Sequence, residues 1–237
     1  MTTVVLVRHG LTAMTGPVLA GWTPGLHLDE RGQAQAEAVA ERLAPLPLAA
    51  VVSSPLDRCL DTAAAIAGVR RPAPEVAVDA RLGECRYGDW TGRPLRELAK
   101  EPLWRTVQAH PAAAVFPGPE GEPLRETQAR AVAALRDWDA RVEAEAGPDA
   151  VWLACSHGDV IKALVADALG LHLDLFQRIT VDPCSVTVVR YTPLRPFLLR
   201  LNDTGGGVAD LVPPKRRGRR RRPASSDAAV GGGAGAA

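Results

Sequence analysis

The chain has 237 residues, 46% of them hydrophobic, which suits one large domain or two small ones with a sizeable core. Its net charge of +1 conceals an asymmetry: from Lys215 onward there are seven cations and one acid (Asp227), so the preceding residues hold 21 cations against 26 acids, net −5. The four cysteines (Cys59, Cys85, Cys155, Cys184) form no Cys-x-x-Cys pair and match no His spacing, which argues against a zinc site or a disulfide framework. No charged and apolar leader opens the chain and no apolar run is long enough to span a bilayer, so a cytoplasmic protein without a membrane span is expected.

Residues 4–7, Val-Val-Leu-Val, form an apolar, mostly β-branched run too short for a buried helix and read as a buried strand. Arg8-His9-Gly10 follows at once. The carboxyl ends of buried parallel strands are where open α/β sheets present ligand-binding residues. An imidazole beside a guanidinium fits phosphoryl transfer, with His as nucleophile and Arg as a clamp on anionic oxygens. Alone, the tripeptide also fits a strand end with a surface Arg and a loop His.

A long Gly/Pro/Thr-rich loop is expected over 11–28, and loops of that length are usually functional. Asp29 is a good N-cap for a helix over 30–43, with Ala34, Ala38 and Leu43 near helical spacing and Pro45 and Pro47 ending it. A second strand over 49–53 runs into Ser54-Pro55-Leu56-Asp57-Arg58 and a helix continuing through Thr62 and Ile66. Such a strand, turn and helix N-terminus form a natural anion site. Arg58 lies in the first helical turn, where a cation opposes the helix dipole; a merely solvated Arg is the other reading.

Residues 76–79 read as a short strand, and 81–92, Arg-Leu-Gly-Glu-Cys-Arg-Tyr-Gly-Asp-Trp-Thr-Gly, as irregular. A helix over 95–107 broken by Pro102, a Pro/Gly-rich loop over 111–123 and a long amphipathic helix over 124–146 follow, the last with Ala131, Leu135 and Trp138 on one side. Residues 151–155 form a strong buried strand running into Ser156-His157-Gly158-Asp159 and a helix over 160–169. Apolar strand, His-Gly and helix thus occur twice, which is hard to obtain by accident. Late strands over 185–191 and 197–201 belong toward a sheet edge. From Gly205 the Gly/Arg-rich composition cannot bury a core, so a catalytic domain over 1–204 and a disordered tail over 205–237 are expected. The basic run Lys215–Arg222 lacks interleaved aromatics, so weak polyanion contact is its ceiling and no specific nucleic-acid binding is expected.

With Arg8-His9-Gly10, Ser53-Ser54-Pro55-Leu56-x-Arg58, Gly83-Glu84 and Ser156-His157-Gly158 in that order, the chain resembles the histidine phosphatase superfamily, the phosphoglycerate mutase-like clan, over nearly everything before the tail. Within it, the chain is similar to an actinobacterial group of phosphomutase- or phosphatase-like proteins. The resemblance implies a three-layer α/β domain with a mostly parallel sheet between helices, and no metal or cofactor. It implies His9 as nucleophile, Arg8, Arg58 and His157 as holders of the phosphoryl oxygens, and Glu84 as the acid for the leaving oxygen. The chemistry agrees: His9 must be neutral to attack, a protonated His157 would add charge to the clamp, and Glu84 needs a raised pKa to donate. Asp89, in the same loop, is a rival acid.

Two departures from the family's mutases matter. Their loop after Arg-His-Gly usually carries an Asn near the position of Thr15. They also follow the acidic residue with a longer Lys-containing insert, where this chain has Tyr87-Gly88-Asp89-Trp90-Thr91-Gly92-Arg93, closer to the phosphatase branch. The resemblance therefore implies a phosphomonoester hydrolase acting on a small phosphorylated substrate. A phosphomutase and a non-catalytic phosphate-binding regulator are the alternatives.

Overall fold

The computed structural model describes residues 2–206 and 230–233. Six strands form one sheet: β1 (Thr2–Arg8), β2 (Leu48–Ser53), β3 (Val76–Val78), β4 (Val151–Ser156), β5 (Val186–Tyr191) and β6 (Pro196–Asp203), in the order β3-β2-β4-β1-β5-β6. The first four run parallel; β5 and β6 pair antiparallel, with β6 at the edge. Helices α1 (Glu30–Leu43) and α2 (Asp57–Gly68) cover one face, and α5 (Leu124–Ala146) and α6 (Gly158–Ala168) the other. Short helices α3 (Leu95–Leu98) and α4 (Pro102–Ala109) lie between, Pro102 opening α4 where it lacks only an orphan N–H.

Strand β1 shows why the central runs are apolar throughout. Successive side chains alternate between faces, so Val4 and Leu6 pack with α5 and α6 while Val5 and Val7 pack with α1 and α2. All four are at most 1% exposed. At roughly 1.5–3 kcal/mol per buried side chain, this burial fixes β1 in the sheet and with it the position of His9.

The side chain of Asp29 caps α1 by accepting from the Gly32 N–H at 2.8 Å. The buried face of α1 is Gly32, Ala36, Val39, Ala40 and Leu43, whereas Ala34 and Ala38 are exposed, which corrects the stripe expected from the sequence. Alanines carry too little apolar surface to set the phase of a helix; Val39 and Leu43 set it. Of the tail, 207–229 and 234–237 lie outside the described residues, so the expectation of disorder concerns mostly positions not described here. Residues 230–233 are placed against the body, with Val230 2% exposed.

Candidate active site

The parallel register of β1 and β4 pairs Arg8 with Ser156, so the next residue of each strand, His9 and His157, emerges side by side. The His9 N–H donates to the Ser156 carbonyl at 3.0 Å, and the two imidazole centroids lie 5.2 Å apart. Gly10 then lets the chain turn under α1: a Cβ there would lie 2.6 Å from the carbonyl oxygen of Gly32. Ser53 and Ser54 leave β2 beside β4, and the first turn of α2 brings in Arg58.

Hydrogen bonds fix both rings. Nδ1 of His9 lies 2.8 Å from the Gly10 carbonyl oxygen, which can only accept, so Nδ1 carries the proton and Nε2 keeps its lone pair. Arg58 Nε donates to that Nε2 at 3.2 Å. The Nη2 of Arg58 donates to the Gly21 carbonyl at 2.7 Å and lies 3.2 Å from His157 Nδ1. An arginine cannot accept, so His157 Nδ1 is the acceptor and its Nε2–H donates to Ser54 Oγ at 2.7 Å. Among the described residues, Nη1 of Arg58 is buried without a hydrogen-bond partner, leaving a donor for a ligand oxygen.

Both histidines are neutral. Burial, then the positive charges of Arg58 and Arg8, holds His9 well below the usual imidazole pKa, against the pull of its bond to Gly10. Burial and Arg58 lower His157 in the same way. A protonated His157 would add charge to the clamp, but burial first, and then the Arg58 guanidinium that faces its Nδ1, favour the neutral ring here.

Glu84 comes from the other wall, on the turn between two 3-10 segments, Ala80–Leu82 and Gly88–Trp90. It is 4% exposed, and its Oε1 accepts from the Cys85 N–H at 2.9 Å. Burial and the nearby Asp159 carboxylate push its pKa up to about 7, outweighing the Cys85 bond and the charges of Arg58 and Arg8. Asp159 is held by the Tyr87 hydroxyl at 2.8 Å and by Lys162 Nζ at 3.3 Å. Asp89, the rival acid, is exposed and does not line the pocket.

Arg8, His9, Arg58 and Glu84 line one pocket, and His157 stands behind Arg58 and His9. Residues 230–233 reach the same place. Arg8 Nη2 donates to the Gly233 carbonyl at 2.7 Å and to that of Gly231 at 3.4 Å, while the Gly231 N–H donates to Asp159 at 3.1 Å. About 30 Å³ of free space remains, room for roughly one or two waters. Arg8 is anchored from behind by Nη1 on the Val181 carbonyl at 2.8 Å.

Sequence reasoning missed Asp159, Tyr87, Arg130 and residues 230–233. Asp159 carries a local signal, an acid in the first turn of the helix that follows His157-Gly158. Arg130 carries none, since the carbonyl it holds belongs to Glu84, 46 residues away. Among the described residues, no group of three or more His, Cys, Asp or Glu side chains could hold a metal, and no helix is long and apolar enough to cross a membrane.

The family model described as "Histidine phosphatase superfamily (branch 1)" matches residues 4–204. A glucosyl-3-phosphoglycerate phosphatase of Mycolicibacterium vanbaalenii is 34% identical over 178 residues, covering 72% of this chain and 75% of the relative. A probable phosphoglycerate mutase of Yersinia pestis is 32% identical over 194 residues, covering 81% and 86%. Among solved structures, a mycobacterial glucosyl-3-phosphoglycerate phosphatase complexed with VO3 superposes with a TM-score of 0.74 at 29% identity, covering 85% of this chain and 98% of that one.

Proposed function

The chain belongs to the histidine phosphatase superfamily (branch 1), and from that premise we propose that it hydrolyses small phosphomonoesters through a phosphohistidine on His9. The observation that carries this reading is the His9 ring, whose Nδ1–H is committed to Gly10 while Nε2 keeps a lone pair beside a guanidinium. Nε2 attacks phosphorus, and the P–O bond to the alcohol breaks as the P–N bond forms. Glu84, protonated up to about pH 7, gives its proton to the leaving oxygen. The resulting carboxylate then takes a proton from water, whose oxygen attacks phosphorus. The P–N bond breaks, inorganic phosphate leaves, and His9 and Glu84 return to their starting forms.

Arg8 and Arg58 supply the countercharge, and phosphoryl transfer needs little beyond positioning and such stabilisation. Nη1 of Arg58, buried with no hydrogen-bond partner among the described residues, is the donor left for a phosphoryl oxygen. An arriving dianion favours protonation of His157, whose ring then joins the clamp. No metal or cofactor enters the scheme. Catalysis is assigned to residues 1–204, supported by a family match that ends at residue 204. A small phosphorylated metabolite as substrate would suit a cytoplasmic enzyme, and the cytoplasm is the location we propose.

The same phosphoenzyme serves a mutase when a second hydroxyl, instead of water, receives the phosphoryl group, and the Yersinia relative bears that name. Phosphate release from a panel of phosphorylated alcohols, run beside interconversion of 2- and 3-phosphoglycerate, separates the two. Net phosphate release is expected. Isomerisation without it would transfer the assignment to the mutase, and neither would leave a binding protein.

A further inference from the structure

The acid-bearing turn has no sheet or long helix to hold it, yet three of its carbonyls, those of Arg81, Gly83 and Glu84, are held by one side chain. The geometry points to Arg130 as the positioning residue of the acid: its guanidinium fixes the 81–84 backbone so that the Glu84 carboxyl faces the leaving oxygen. This rests on the reading of Glu84 as the acid given above.

Arg130 stands on α5, beside the buried Ala131. Its Nη1 donates to the carbonyls of Arg81 at 2.7 Å and Gly83 at 2.8 Å. Its Nη2 donates to the carbonyl of Glu84 at 2.9 Å and to Glu122 Oε1 at 2.6 Å, and its Nε to Glu122 Oε2 at 3.1 Å. All five N–H donors of the fork are therefore used, three on the turn and two on one carboxylate, an arrangement a lysine head cannot reproduce. Glu122 is fixed in turn by the Arg86 N–H and the Thr127 hydroxyl, both at 2.8 Å. Trp22 Nε1 donates to the same Glu84 carbonyl at 2.6 Å, and its ring lies so close that a Cβ on Gly83 would meet it at 2.4 Å. Arg130 touches none of the groups proposed to react. It acts through the backbone of the residue that does.

A group that only stabilises the fold lowers turnover of every substrate alike when it is lost. A group that positions the acid lowers turnover where the leaving oxygen needs a proton and spares it where the leaving group is already good. The test is a cycle of Arg130→Met, Glu84→Gln and the double variant, assayed on an alkyl phosphate and on p-nitrophenyl phosphate, with melting curves to confirm folding. In Arg130→Met the alkyl-to-aryl ratio of kcat should fall by about 10²-fold, the size of effect a misplacement of about 1 Å produces, with KM little changed. In the Glu84→Gln background the same substitution should leave the ratio where Glu84→Gln put it. Should Arg130→Met fail to fold, Glu122→Gln keeps the guanidinium while loosening its two-pronged pair, and should move the ratio in the same direction. An unmoved ratio in whichever folded variant is obtained, or a further fall in the double variant, overturns the inference alone. An unmoved ratio in Glu84→Gln itself overturns the functional reading and the inference with it.

Discussion

The two walls of the pocket are built by different means. On one wall His9, His157 and Arg58 sit at two strand ends and one helix start, and the β1–β4 register alone brings the two histidines together. On the other, Glu84 sits on a run of short 3-10 turns and takes its position from side chains of α5 and the 11–28 loop. The backbone of the first wall is fixed by strand pairing and core burial, so substitution of one of its side chains leaves the strand ends in place, although Arg58 also orients both rings. The second is fixed by side-chain hydrogen bonds, so its geometry can be loosened without touching the reacting group.

That contrast is sharpened most by Glu84→Gln. Removing the acid should slow an alkyl phosphate by roughly 10²–10⁴-fold, the usual contribution of general acid catalysis, and barely slow p-nitrophenyl phosphate. Parallel steady-state assays read the ratio. Equal losses on both substrates, or a selective loss in Asp89→Asn instead, would move the acid role off Glu84.

The pH profile separates the walls by a smaller margin. His9, held well below the usual imidazole pKa, sets the acid limb, and Glu84, at about 7, sets the basic limb. On an alkyl phosphate, kcat/KM should therefore fall by about tenfold per pH unit above 7, and this limb should vanish in Glu84→Gln. Stability follows with a definite sign. In the unfolded chain Glu84 ionises near 4.5, in the folded chain near 7. Between those values the folded state binds more protons, so this group's contribution to stability is lost as the pH rises through that window. Melting curves from pH 4 to 8 should fall less steeply for Glu84→Gln than for wild type.

The smallest expected effect concerns residues 230–233, whose carbonyls take the Arg8 donors that a phosphate would use. Val230 is their one buried large side chain and the rest is held by a few hydrogen bonds to Arg8 and Asp159, so the segment is weakly held. Deleting residues 213–237 should lower the inhibition constant of inorganic phosphate a few-fold and leave the melting temperature nearly unchanged. A weaker phosphate affinity or a large loss of thermal stability would make these residues part of the pocket wall.

Legibility in the sequence follows the same division. Residues 4–7 and 151–155 read as strands because burial on both faces leaves an unbroken apolar run, and the His-Gly after each marks where the strand stops. The Asp29 cap is a local signal, as is the Pro102 break. The convergence of Arg8, His9, Arg58, Glu84 and His157 could be drawn from four short motifs because family resemblance supplies the long-range pairing that spacing does not. What was illegible is long-range or weakly apolar. The buried face of α1 was misphased by alanines. Arg130 and Asp159 act on Glu84 across 46 and 75 positions of sequence. Residues 230–233, in a stretch that reads Val-Gly-Gly-Gly, have almost no side chains from which docking could be inferred.

The central claim is the covalent use of His9, and rapid-quench trapping tests it most directly. Wild-type protein mixed with a ³²P-labelled phosphomonoester and quenched within milliseconds should carry label that is stable in base and released in acid. Peptide mapping should place it on residue 9, and His9→Ala, folded by its melting curve, should carry none. Label that survives acid, that maps to another residue, or that persists in His9→Ala would contradict the account.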